Sequence, residues 1–334
     1  MTPAVPHPPH LSHSSHPLPA PTAPPRASEP TRTTELALAL ALSLLLTACD
    51  NGNALRPIAQ AGAGNPVSAP ASAPAPRAVT LPTEPATPFA HPADDTLRFN
   101  MLCNESVTAA SGSYVIENNV WGKGALTDWS QCVGATNSPR RGLAARWTWD
   151  WKYQGDNVKA YPEVVFGHKP GTARSTTPLL PRKLGEVRRV VMDYDISTKR
   201  NGTGNLSVDI WLTDTPAPTT FAVPPITHEV MIWLETFGPM YAGGQQIDTV
   251  SIHGIPYRVY VGEKFGLGWR YIAFKPENTP MQPVAQLDLM PYLLYLQTKG
   301  LVTPESHVAN INLGNEIISG AGTTQVNHLD IDVE

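Results

Sequence analysis

The sequence predicts an all-β sandwich with a single helix packed against it. Beyond about residue 97 the chain reads as short runs of alternating apolar and polar residues. Gly, Pro, Asn and Asp break those runs, and only one segment shows apolar residues at three- and four-residue steps. In chain order the runs fall at 114–117, 144–153, 189–197, 206–213, 228–236, 249–252, 257–262, 269–274, 308–313 and 325–333. The turn residues 199–204 (KRNGTG) between two of them suggest a hairpin. The helix is expected around Leu287, Met290, Leu293, Leu294 and Tyr295, with Lys299-Gly300 as its stop. In the second run Trp147, Trp149 and Trp151 share one side, as an aromatic platform or as core.

Three of these stretches carry an acid on the face opposite their aliphatic residues. They are 208–212 (VDIWL), 229–234 (EVMIWL) and 311–316 (INLGNE). Successive strand side chains point to opposite faces. Val208, Ile210, Leu212, Val230, Ile232 and Leu234 are therefore expected in a core. Asp209 with Trp211, and Glu229 with Met231 and Trp233, face the other way, and Asn310, Asn312 and Glu316 are expected to continue that polar face. Carboxylates beside tryptophans suit carbohydrate cleavage, because sugar rings stack on aromatic planes and glycosidic bonds yield to paired acids. For Asp209 a surface ion pair at a strand edge is the alternative.

Composition divides the chain into a tail and a body. More than half of the 35 prolines precede residue 93, in a stretch of Pro, Ala, Ser and Thr with too little apolar surface to offset its ordering entropy. All eight tryptophans and all ten tyrosines lie in the body, residues 97–334, which is long enough for one sizeable core. Within the tail, residues 36–47 form an apolar run too short to span a bilayer comfortably, preceded by Arg26 and Arg32. The sequence Leu46-Thr47-Ala48-Cys49 that ends it resembles the lipobox of bacterial lipoproteins. The expectation is a signal region at 1–48 that is removed, lipid on Cys49, and a Pro/Ala-rich disordered linker at 49–96. The resemblance further implies an exported protein of the cell envelope, touching the membrane only through its lipid. With Cys49 so used, Cys103 and Cys132 are left to pair in an oxidising compartment. Such a loop contributes roughly 3–4 kcal/mol in the chain-entropy model.

A net charge of −4 and the lack of a basic cluster with interleaved aromatics argue against a nucleic-acid groove. No metal-ligand spacing, phosphate-binding glycine loop or dinucleotide fingerprint occurs in the body, so no cofactor or metal is expected. The histidines at 7, 10, 13 and 16 belong to the solvated tail. A monomer is expected.

Several motifs, in order from Cys103 toward the C-terminus, resemble glycoside hydrolase family 12 endoglucanases. These are 114–132 (YVIENNVWGKGALTDWSQC), 147–167 (WTWDWKYQGDNVKAYPEVVFG), the strand EVMIWL at 229–234, and Gly314-Asn315-Glu316. The resemblance implies a β-jelly-roll with a concave substrate cleft and retaining hydrolysis of β-1,4-glucan. It casts Glu229 as nucleophile, Glu316 as general acid/base and Asp209 as the carboxylate beside the nucleophile. Trp121, Asn119, Trp233 and Met231 become substrate contacts. Two stretches depart from the family pattern: Ile317-Ile318 after the acid/base, and 238–244 (GPMYAGG) after the nucleophile strand. Both bear on substrate preference, and leave open a xyloglucan-specific endo-hydrolase. A non-catalytic glycan-binding sandwich is the alternative from another class.

Overall fold

The computed structural model describes residues 92–104, 108–262, 268–277 and 282–334. The signal region at 1–48, Cys49 and the linker up to residue 91 lie outside the described residues. Two sheets share one long strand. The smaller runs in the order β3 (Trp129–Asn137), β4 (Leu143–Trp151), β15 (Ile317–Val333), β7 (Val190–Arg200) and β13 (Val284–Asp288). The larger runs β1 (Thr108–Ser111), β2 (Tyr114–Glu117), β5 (Glu163–Gly167), β14 (His307–Gly314), β8 (Thr203–Thr213), β9 (Ile226–Phe237), β12 (Arg270–Pro276), β11 (Ile255–Gly262) and β10 (Gln245–Ile252). The two-residue β6 (Arg182–Lys183) sits on β14. Pairing is antiparallel except between β9 and β12.

The predicted alternation places the core. Val208, Ile210, Leu212, Val230, Ile232 and Leu234 from the larger sheet meet Met192, Tyr194, Ile196 and Leu329 from the smaller one in a single buried cluster. Full burial of such side chains contributes about 1.5–3 kcal/mol each. Trp147, Trp149 and Trp151 belong to the same cluster, which settles their role as core. Two of their indole N–H groups are satisfied inside: Trp151 Nε1 donates to Gln131 Oε1 at 2.8 Å, and Trp147 Nε1 donates to Asn315 Oδ1 at 2.7 Å.

The turn at 199–204 is not a hairpin. β7 pairs with β13 and β15, whereas β8 pairs with β14, β9 and the start of β15, so Asn201-Gly202 carries the chain from one sheet to the other. Gly202, at φ +86°, lies against β15, where a Cβ would stand 2.2 Å from the Ser319 carbonyl. Only glycine fits there without strain.

The helix α1 spans Met290–Thr298 and buries Met290, Tyr292, Leu293 and Leu296. Leu287 belongs instead to β13, and Leu294 is exposed. Residues 92–96, assigned from composition to the linker, are fastened to β15: Asp94 N–H donates to Asn327 Oδ1 at 2.9 Å, and Gln325 Nε2 donates to the Asp94 carbonyl at 2.9 Å. Residues 92–96 therefore pack with the body. Cys103 and Cys132 form the expected disulfide, with Cα atoms 4.0 Å apart, beside a bridge between Leu102 and Val133.

Candidate active site

Three rows of side chains cross the outer face of the larger sheet. In register, Asn310, Trp211, Glu229 and Tyr271 form one row, and Asn312, Asp209, Met231 and Ala273 form the next. The third joins Glu163, Ser207 and Trp233. Asp209 thus opposes Met231 rather than Glu229, one diagonal step from the candidate nucleophile.

Glu316 is not on a strand. β14 ends at Gly314 and β15 begins at Ile317, so Glu316 occupies the two-residue connection and the predicted alternating face stops short of it. Asn315 builds that connection. Its buried Oδ1 accepts from Trp147 Nε1 and from Thr324 Oγ1 at 2.8 Å, and its Nδ2 donates to the Asn205 carbonyl at 2.7 Å. Asn205 then reaches Glu316 directly, Nδ2 donating to Oε2 at 2.6 Å while its Oδ1 accepts from the Glu316 N–H at 3.2 Å. The core tryptophan therefore fixes the acid through two asparagines.

Burial and mutual repulsion set the protonation of these acids. Glu229 is pushed up to about 7, first by burial, against a hydrogen bond from Trp269 that favours its charge, with the charge of Glu163 adding to the rise. Glu316 is pushed up to about 8 by burial and then by the charge of Glu229, despite the Asn205 amide. Asp209 is held well above the usual carboxylate range by burial, then by Glu229, Glu163 and Glu316. Among the described residues its Oδ1 has no hydrogen-bond partner. All three acids are thus held toward the protonated form, and the charge of Glu229 raises both Glu316 and Asp209 further.

The expected substrate contacts divide. Trp121 is open, with 62% of its surface exposed. Its place is set by Gly122, whose N–H donates to the Lys159 carbonyl at 2.8 Å and whose Cβ, if present, would stand 2.0 Å from the Val158 carbonyl. Asn119 turns inward, and its Nδ2 donates to Glu163 Oε1 at 2.6 Å. Met231 and Trp233 are 2% and 1% exposed, in a cluster with Tyr161, Met240 and Tyr271. Lys275 Nζ lies 5.1 Å above the Trp233 ring. These two form the wall of the site rather than an open platform.

Four groups in the site were not singled out by sequence reasoning. Glu163 is 1% exposed and its Oε1 accepts from Lys169 Nζ at 2.7 Å; burial first, offset by Lys169, leaves it at about 7. A lone acid opening an otherwise apolar run was the available signal. Tyr161 and Tyr271 are raised by burial and then by the surrounding carboxylates. Trp269 Nε1 donates to Glu229 Oε2 at 2.8 Å. Glu235, further along β9, forms an ion pair with Arg200 and is pushed up by burial against that cation.

Two buried carboxyl groups, Glu229 and Glu316, near enough that the charge of one raises the other, beside an aromatic wall on a β-sandwich, suit a glycoside hydrolase. The comparisons place it more closely. The model of glycosyl hydrolase family 12 matches residues 112–334, and the chain belongs to that family. It is 30% identical over 252 residues to endoglucanase S of Pectobacterium parmentieri, across 70% of this chain and 91% of that protein. It is also 23% identical over 226 residues to the xyloglucan-specific endo-beta-1,4-glucanase A of Emericella nidulans, across 67% and 86% of the two chains. Among solved structures, the native family 12 xyloglucanase from Bacillus licheniformis superposes with a TM-score of 0.63 at 29% identity, over 70% of this chain and all of that one. An endoglucanase from Rhodothermus marinus gives 0.59 at 27%, over 70% and 99%.

Proposed function

We propose that the enzyme is a retaining endo-1,4-β-glucanase, with Glu229 as nucleophile and Glu316 as general acid/base. The observation that carries this is the placement of the two acids: Glu229 stands on β9 with its Oε2 held by the Trp269 N–H, a donor that favours its charge, while Glu316, fixed by Asn205 in the β14–β15 connection, is raised by burial and by that charge. Charged Glu229 attacks the anomeric carbon while Glu316 protonates the departing glycosidic oxygen. Glu316, then ionised, takes a proton from the water that releases the sugar. Asp209, kept neutral, adds no second charge beside the nucleophile. Trp121 is the exposed ring on which a glucosyl unit stacks.

The test is release of reducing ends from barley β-glucan, a soluble cellulose derivative and xyloglucan, with the first-formed anomer read by NMR. Wild type is expected to release β-configured ends. Glu229→Gln is expected to lose turnover and keep measurable glucan binding; near-normal activity in that variant overturns the assignment, and binding without hydrolysis by wild type selects the glycan-binding reading. A ranking led by xyloglucan selects the xyloglucan-specific alternative, which is supported by the relatives that carry that name.

We further infer export as an envelope lipoprotein anchored through Cys49, a reading supported by the apolar run before that residue and by the Cys103–Cys132 disulfide. Labelled palmitate is expected to enter the full-length protein and not its Cys49→Ser variant; equal labelling of both refutes it.

A further inference from the structure

The nucleophile strand is flanked by a group that the double-displacement scheme does not use. β12 runs parallel to β9 with Tyr271 beside Glu229, so the residue two positions earlier, Trp269, falls on the same face just before the strand begins. Its indole N–H donates to Glu229 Oε2 at 2.8 Å. The ring is 7% exposed and held edge-on by two others, Trp211 at 5.2 Å and 74°, and Phe221 at 5.4 Å and 81°. Ile226 and Ala309 complete the packing around Trp211 and Trp269. Trp211 opposes Glu229 across the β8–β9 ladder, so the carboxylate and the ring that braces its donor share one register position.

We propose that Trp269 is a positioning residue for the nucleophile: its N–H fixes Oε2 of Glu229 and leaves Oε1 as the attacking oxygen. The inference rests on the assignment of Glu229 above and extends it to the individual oxygen. An indole N–H donates and cannot accept, so it binds a charged carboxylate more strongly than the carbonyl oxygen of a protonated acid and favours the ionised form. In the first step the bond from Oε1 to the anomeric carbon forms as the bond to the leaving oxygen breaks, and the Glu316 proton moves to that oxygen. Oε2 becomes the ester carbonyl. In the second step water bonds to the anomeric carbon and gives its proton to Glu316, and Glu229 departs as a carboxylate whose Oε2 again takes the full charge-assisted bond. The other groups around Glu229 set the background against which this donor acts: Asp209 from β8, Tyr271 from β12, Glu316 from the β14–β15 connection, and Glu163 from β5 with Lys169 bonded to it. Of these, Glu163 opposes the Glu229 charge, while the indole supports it.

The experiment replaces Trp269 by benzothienylalanine, which keeps ring size and substitutes sulfur for the N–H, alongside Trp269→Phe. A hydrogen bond to a charged acceptor is worth enough to move a carboxyl group by about one pH unit or more. Both variants are expected to shift the acid limb of kcat/KM upward by about that amount and to lower kcat by about tenfold, with KM little changed. Ile226→Val loosens the same packing and keeps the donor; it is expected to lower the melting temperature and leave the acid limb in place. If the benzothienyl enzyme titrates like wild type, the proposal fails. If Ile226→Val moves the limb equally, the effect is packing and the proposal also fails. Loss of turnover in Glu229→Gln is independent of either result, so the nucleophile assignment stands or falls separately.

Discussion

Asp209 and Glu229 lie one diagonal step apart on adjacent strands, yet their surroundings separate them. Glu229 receives the Trp269 N–H, whereas Oδ1 of Asp209 is buried and, among the described residues, unpartnered. Burial and then the Glu229 charge hold Asp209 neutral, so its amide counterpart reproduces its shape and its lack of charge. Asp209→Asn is accordingly expected to cost no more than a neutral hydrogen bond, about two- to tenfold in kcat. A loss as deep as that of Glu229→Gln would show that Asp209 acts as a charged group. For the wild type, kcat/KM is expected to be bell-shaped, with an acid limb near 7 from ionisation of Glu229 and a basic limb near 8 from loss of the Glu316 proton. Both limbs belong to the coupled pair.

At the scale of elements, the corner at Asn201-Gly202 decides whether β8 joins the catalytic sheet. Gly202 has no room for a side chain against Ser319 and Gly320, and its φ of +86° is one that L-residues rarely adopt. Gly202→Ala is expected to destabilise by more than about 1 kcal/mol and to lower the midpoint of urea unfolding. An unchanged midpoint would mean that the corner relaxes freely. This corner also shows where the sequence misleads. An Asn-Gly turn between two alternating runs is a hairpin signal, but the signal is local, and β7 takes its partners from β13 and β15 while β8 takes β9 and β14. β8 and β9 were legible because one side of each meets the core and the other meets the site, which preserves the period of two. β5 was not. All five of its residues are buried, since core covers one face and the carboxylate cluster covers the other, so Glu163 sat in a run without alternation. Glu316 was legible as a residue but not as geometry, because its place depends on Trp147, Asn315 and Asn205, which the chain brings together from three separate elements. Trp269 reads as the first residue of a strand, and only the parallel register with β9 reveals its partner.

For the whole molecule, the site costs stability wherever its acids ionise. Glu163, Asp209, Glu229 and Glu316 are all raised above the roughly 3.9–4.3 of unfolded carboxyl groups. Between those limits the native state holds more protons than the unfolded chain, so unfolding free energy falls as pH rises through the folded values. The contribution is fully present below about 4 and is lost by the time Glu229 and Glu316 have both ionised. His228, pushed down to about 4 chiefly by burial, acts in the opposite sense: held neutral in the fold, it costs stability below about 6.5, where the unfolded imidazole gains a proton. The range from pH 6.5 to 8.5 therefore isolates the carboxylates. Over that range the wild-type melting temperature is expected to decline, and Glu229→Gln and Glu316→Gln to decline less, each melting above wild type at pH 8.5. A flat wild-type profile, or inactive variants that gain nothing at pH 8.5, would show that the four acids are solvated enough to ionise freely, and would remove the physical basis for a proton retained on Glu316.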